Sequence, residues 1–142
     1  MLLGSEGFIK ESRMWQRRHG GNLPTMAPLY VSARLGLQHA LPQVECWVKR
    51  AQEVSEILNR FDKITVRPNP PHVNFFQVYF QGEPEALTQR HLELAEETGT
   101  FLFSSLSGTI VPGIAVTEIH CWENSIKFDL DKLPFFLERL LE

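Results

Sequence analysis

Between Gln43 and Phe61 the apolar residues recur at intervals of three and four: Val44, Trp47, Val48, Ala51, Val54, Ile57, Leu58 and Phe61. That period lines them along one side of an α-helix. Any fold open to this chain must therefore supply an apolar surface for that helix to cover. Pro42 suits its start, because a proline lacks only an N–H that the first helical turn leaves unpaired anyway. After Asp62 the pattern changes. Ile64-Thr65-Val66 reads as a short strand, and the loop Pro68-Asn69-Pro70-Pro71 ends it. Val73 to Phe80 is β-branched and aromatic, as a buried strand is.

The remaining elements follow from caps and breakers. Ser5 caps a helix from about Gly7 to His19, with Phe8, Ile9, Met14 and Trp15 sharing much of one face. Gly20-Gly21 stop it, since glycine accepts the positive φ of a helix C-terminus. A second helix covers about Leu29 to Ala40, with Pro28 in its first turn. Pro84 opens a helix to about Thr98, with Leu87, His91, Leu94 and Ala95 on one side and Gly99 at its end. Phe101-Leu102-Phe103 reads as a short strand and Ile114 to Trp122 as a longer one. Asp129 caps a last helix carrying Leu133, Phe136, Leu137, Leu140 and Leu141. The order is three helices and then β-β-α-β-β-α, an α/β (α+β) chain with helices on one face of a small sheet. It divides into a helical segment, 1–61, and a small α/β domain, 62–142, in one compact unit.

Composition excludes several classes. With 142 residues, 43% hydrophobic and 22% charged, the chain suits one globular domain. A net charge of -3 argues against nucleic acid, whose binding needs a basic surface. No apolar run is long enough to cross a bilayer. Met1-Leu2-Leu3-Gly4 is too short for the core of an export signal and has no basic residue before it, so a cytoplasmic location is expected. Cys46 and Cys121 form no CxxC pair and read as reduced, partly buried thiols. The five histidines, His19, His39, His72, His91 and His120, lack zinc spacing, so no metal site is expected.

The most informative stretch is Gly7-Phe8-Ile9-Lys10-Glu11-Ser12-Arg13-Met14-Trp15-Gln16-Arg17-Arg18-His19-Gly20-Gly21-Asn22. It resembles the segment of low-specificity threonine aldolases and β-eliminating lyases in which a helix with a Trp and several basic residues leads into a Gly-rich turn. Ser32-Ala33-Arg34-Leu35-Gly36-Leu37 is similar to that family's next helix. The later β-β-α-β-β-α order is similar to the small C-terminal domain of the aspartate-aminotransferase-like fold type I. The resemblance implies a C-terminal fragment, truncated relative to a pyridoxal-phosphate-dependent lyase of amino acid metabolism. The parent reaction would be carbon–carbon cleavage of a β-hydroxy amino acid to glycine and an aldehyde.

In that family Met1 to Ser5 would be the end of a strand in the large domain, with the Schiff-base lysine before it. The resemblance thus implies pyridoxal phosphate in the full-length parent, none in this chain alone, and no catalytic or cofactor-binding residue here. Lys10, Lys49, Lys63, Lys127 and Lys132 read as solvated surface lysines. Two places depart from the family. An arginine that shortly follows the Gly-rich turn corresponds here to Pro24. An arginine of the late strand, which holds the substrate carboxylate there, is replaced near Thr117. A guanidinium is the natural partner of a carboxylate because it makes two parallel hydrogen bonds, so ordinary threonine cleavage is in doubt.

The residues Arg17, Arg18, His19, Gly20, Gly21 and Asn22 form the leading candidate site. Arg17, Arg18, Gly20, Gly21 and Asn22 are taken as substrate-proximal, since turn N–H groups and guanidinium groups favour a phosphate or carboxylate. A helix C-cap with basic residues complementing the helix dipole accounts for the same residues. His120 and Cys121 adjoin on a strand and point to opposite faces, which is poor for chelation. Ser104-Ser105-Leu106-Ser107-Gly108 lacks the GxSxG pattern of a nucleophile elbow. Asn69 to Asn74 reads as a proline-restricted loop, and Glu96-Glu97 and Asp129/Asp131 as helix-surface and cap residues. A homo-oligomer is expected, with a large-domain chain and a small amino acid substrate as further partners of the parent. The competing expectation is a stand-alone interaction and dimerisation module without catalysis.

Overall fold

The computed structural model describes residues 2–142. Two compact units make up the chain, Met1–Gln43 and Val44–Glu142.

The first unit holds two helices. Helix α1 spans Glu6–Arg18, and the Ser5 hydroxyl caps it by accepting from the Phe8 N–H at 3.3 Å. Helix α2 spans Ala27–His39, with Pro28 in its first turn, and a 3-10 turn follows at Leu41–Gln43. Neither helix contains a buried residue. The apolar face expected on α1 is therefore uncovered, with Phe8, Met14 and Trp15 each about half exposed. Of the strand end expected at Met1 to Ser5, Met1 lies outside the described residues. Leu2–Gly4 take no regular structure, and Ser5 is the cap.

The second unit opens with α3, Val44–Leu58, which buries Trp47, Ala51, Val54, Ser55 and Leu58. Strand β1 is Ile64–Arg67 and β2 is Phe75–Gln81. Helix α4, Pro84–Thr98, ends at Gly99, whose φ of 67° is the left-handed turn that glycine permits. Strand β3 is Ser107–Gly108 and β4 is Ile114–His120. The chain closes with the short helix α5, Glu123–Lys127, a 3-10 turn at Leu130–Lys132 and helix α6, Leu133–Leu141.

The strands form one antiparallel sheet in the order β1-β2-β4-β3. Its register aligns Phe76 with Ile119, Val78 with Thr117 and Phe80 with Ala115. These residues face α3, α4 and α6, and they share one core with Ala51, Val54, Leu58, Leu87, Leu133, Leu137 and Leu140. The sequence reading grouped α3 with the first two helices; its buried residues lie in this core. The alternate positions, among them Phe75, Gln77, Glu118 and His120, are exposed, so one face of the sheet is open.

Two expectations change. Phe101-Leu102-Phe103 is not a strand. The Leu102 N–H donates to Nε2 of His91 at 3.2 Å instead of to a neighbouring strand, and the His91 ring lies 4.6 Å from Phe101 and 4.3 Å from Phe103. The sheet takes its fourth strand later, at Ser107–Gly108. Asp129 caps the 3-10 turn before α6, accepting from the Asp131 N–H at 3.2 Å, rather than the helix itself.

The pairing register makes a sharp contrast along β2. Phe80→Ala removes a fully buried ring and is expected to cost about 3–5 kcal/mol. Phe75→Ala, on the open face of the same strand, is expected to cost less than about 1 kcal/mol. Urea unfolding of both variants checks this, and equal losses would show that the register is wrong.

Candidate functional site

The candidate loop in the first unit is a helix terminus with its backbone donors already engaged. Gly20 has a φ of 71°. Its N–H donates to the Arg17 carbonyl at 3.2 Å, and the Gly21 N–H donates to the Gln16 carbonyl at 2.8 Å. That pair of bonds is the Schellman arrangement, which satisfies carbonyls left free at a helix end. The Gln16 side-chain amide closes the turn by donating to the Gly21 carbonyl at 3.0 Å. The two glycine N–H groups that could have cradled an anion are therefore spent on the cap.

The guanidinium groups are the part of this loop left to meet a ligand. Arg17 and Arg18 are exposed, and among the described residues neither has a carboxylate partner. Arg18 lies over the Trp15 ring, 5.1 Å from its centroid, and Trp15 stacks on His19 at 5.7 Å. This cation–π contact holds one charge against the helix. Asn22 is exposed, Gly21 is half-buried, and Pro24 stands in the exposed turn that follows.

In the second unit, Thr117 is buried on the helix-facing side of β4, opposite Val78. Its hydroxyl has no hydrogen-bond partner among the described residues. A side chain at this position meets the core, not a solvent-borne carboxylate. The open face has a different chemistry. Arg67 pairs in register with Gln77, and Gln77 with Glu118, so the three form a polar row across β1, β2 and β4. The Tyr79 hydroxyl donates to Oε1 of Gln77 at 2.8 Å. His120 lies 3.2 Å from Glu118 and stacks on Phe75 at 5.5 Å. Among the described residues, Arg67 is the only arginine carried by a strand, and its guanidinium has the geometry to pair with a carboxylate. The sequence reading missed this row. Its signal was the two-residue alternation of polar side chains along the strands, which shows only once the register is known.

A Schiff-base cofactor needs a lysine in an enclosed site with a group to hold its phosphate. Lys10, Lys49, Lys63, Lys127 and Lys132 are all exposed, and Lys63 donates to the Leu141 carbonyl at 2.9 Å. None of them lines the apolar cavity of about 390 Å³ in the second unit. Lys63 borders another pocket of that unit with Asp62, Glu138 and Glu142, whose carboxylates would repel a phosphate. The described residues of this chain do not fit pyridoxal phosphate.

Two buried groups next to the core have shifted acidities. Burial lowers the pKa of His91, in keeping with an Nε2 that accepts a backbone N–H and must be unprotonated to do so. Burial raises that of the Cys121 thiol, while Ser125 and the positive charge of Arg50 oppose the shift. Cys46, expected to be partly buried, is exposed, and both thiols are free. Among the described residues, no three His, Cys, Asp or Glu side chains gather into a group that could hold a metal ion. Among the same residues, no helix is long and apolar enough to cross a membrane.

This arrangement of helices and antiparallel sheet is the fold of a portion of the threonine aldolase and β-eliminating lyase structures, consistent with a C-terminal portion. One similar solved structure comes from Exiguobacterium sp. 255-15 and is provisionally assigned as an aromatic amino acid β-eliminating lyase/threonine aldolase. It superposes with a TM-score of 0.82 at 25% identity, over 97% of this chain and 38% of that one. Another, from Listeria monocytogenes EGD-E and provisionally assigned as an L-allo-threonine aldolase, gives a TM-score of 0.84 at 21% identity, with the same coverage of 97% and 38%. The chain thus spans well under half the length of either structure. The resemblance read from Gly7 to Asn22 and from the element order extends to the backbone. No family model and no curated protein matches the chain.

His91 makes stability depend on pH with a definite sign. A histidine in the unfolded chain titrates near 6.5, and burial holds His91 below that value in the fold. The stability it contributes is complete above about 6.5 and is lost as pH falls through the lower, folded value, because the unfolded chain takes up the proton first. Denaturant unfolding at pH 7.5 and 5.5 is expected to show a larger loss in the parent protein than in His91→Gln. Equal losses would remove His91 as the titrating group.

Proposed function

We propose that these residues are the C-terminal part of a pyridoxal-phosphate-dependent, threonine-aldolase-like lyase, and that they carry out no catalysis by themselves. The observation that carries this reading is the superposition on the Exiguobacterium structure, over 97% of this chain and 38% of that one. In this reading residues 1–61 are the end of the large domain and the interdomain helices, and 62–142 are the small domain. The parent cleaves a β-hydroxy amino acid to glycine and an aldehyde in the cytoplasm, as a homo-oligomer. The cofactor and its lysine come from a large domain, on the same polypeptide or on a separate chain. The exposure of all five lysines supports that division.

Arg17 and Arg18, with Gly20, Gly21 and Asn22, stay the substrate-proximal element in this proposal. The glycines shape the turn, and the exposed guanidinium groups, that of Arg18 resting on Trp15, supply the charge. One observation favours a second reading, a stand-alone module that binds a protein partner. No residue of α2 is buried, although the helix carries Leu29, Tyr30, Val31, Leu35 and Leu37. An apolar helix of that kind is normally covered.

Titration of the purified chain with pyridoxal phosphate, followed by borohydride trapping and peptide mapping, tests the division of labour. Weak labelling scattered over the exposed lysines is the expected result. Saturable labelling of one lysine would mean that the chain builds its own cofactor site, and the reading would fail. In a protein joining this chain to a lysine-bearing large domain, Arg17→Ala or Arg18→Ala is expected to raise KM for the amino acid about tenfold, the loss of one exposed charge-assisted contact. Unchanged cofactor affinity and kinetics would remove the arginine assignment.

A further inference from the structure

One cavity of the second unit has a composition that selects its occupant. Its volume is about 390 Å³, and its walls come from α3, α6, β4, α5 and the irregular stretch Gly99–Phe103. Val54, Leu58, Phe103, Ile119, Leu133 and Leu137 make its apolar body. No lysine, arginine, aspartate or glutamate lines it. Polar groups come from His120, Cys121, Asn124, Ser125 and Thr100. The Ser125 hydroxyl donates to the Trp122 carbonyl at 2.7 Å and also hydrogen-bonds with the Cys121 thiol, but a hydroxyl oxygen has two lone pairs and can still accept a hydrogen bond.

We propose that this cavity binds a small, uncharged, largely apolar molecule with one hydrogen-bond donor, such as a planar aromatic. The argument has three parts. The volume falls in the range of small-molecule sites, which are concave, mostly apolar and furnished with a few polar groups. At about 30 Å³ for each water-sized group, it admits on the order of ten non-hydrogen atoms. A charged ligand would lose its hydration on entry and find no counter-charge on the walls, so charge is selected against. The wall at Phe101–Phe103 is held by the Leu102–His91 hydrogen bond and by the contacts of the His91 ring with Phe101 and Phe103. The site is therefore formed in advance rather than assembled by its ligand. This inference does not depend on the proposed lyase function, because every residue it uses lies in the second unit of this chain.

The test is a titration of the ¹⁵N-labelled 142-residue chain with indole, followed by two-dimensional amide spectra. Indole-3-acetate serves as the charged analogue of the same shape. Saturable shifts centred on the amides of Leu102, Phe103, Ile119, Ser125 and Leu133 are expected, with at least tenfold weaker binding of the acetate. Ile119→Trp fills the cavity from the sheet and should abolish these shifts. Leu130→Phe narrows it from the turn before α6, and serves if the first variant does not fold. Shifts that do not saturate, that map to α1 and α2, or that are equal for the acetate would overturn the proposal. So would amide shifts at the cavity that appear on raising protein concentration alone, since the occupant would then be a second copy of the chain.

Discussion

The fold depends on one apolar layer between a sheet that is buried on a single face and the helices laid on it. Phe76, Val78 and Phe80 project from the central strand β2, with Ala115 from β4 beside them and Ile64 and Val66 from β1 on the other side. Helices α3 and α6 bring Ala51, Val54, Leu58, Leu137 and Leu140 against them. Burial of this surface is the main favourable contribution to the fold. Because strand side chains alternate, the same burial commits the remaining positions to solvent. The polar row Arg67, Gln77 and Glu118 exists for that reason, and its residues were brought together by the register.

Polar groups inside this layer show how the core is kept specific. His91 is buried from α4, yet its imidazole accepts the Leu102 N–H and is flanked by Phe101 and Phe103. Ser55 is also buried, and its hydroxyl donates to the Gln52 carbonyl at 2.8 Å. Thr117 is the exception, with a buried hydroxyl that lacks a partner among the described residues. An unpaired buried hydroxyl is costly.

The first unit follows another logic. Helix α1 is well terminated, by the Ser5 cap at one end and the Schellman turn at Gly20–Gly21 at the other, whereas α2 has no side-chain cap at its start, and neither helix buries a residue. Local capping fixes where a helix begins and ends, whereas apolar burial gives most helices their stability in water. Helices with uncovered apolar residues therefore point to a covering surface. The two similar solved structures are longer, this chain spanning 38% of each.

Elements governed by local periodicity were legible in the amino-acid sequence. The spacing of Trp47, Ala51, Val54 and Leu58 marked α3. Pro84 and Gly99 bracketed α4 to the residue, and the β-branched and aromatic runs marked β2 and β4. The caps at Ser5 and Gly20 were legible for the same reason, since each satisfies backbone groups only a few residues away. Phe101–Phe103 was not legible, because its apolar residues serve a strand or a loop equally well. The choice was made by His91, eleven residues before Leu102, whose N–H it takes in place of a neighbouring strand. The candidate anion site at Arg17 to Asn22 was legible as a cluster of residue types, but only the structure showed that the glycine N–H groups are engaged in the cap. The cavity and the polar row on the open face join residues far apart in the chain, so no local pattern could reveal them. Sequence thus determined the elements, through rules that act over a few residues. Tertiary structure decided which backbone donors remain free and which distant side chains meet, because both depend on packing between elements.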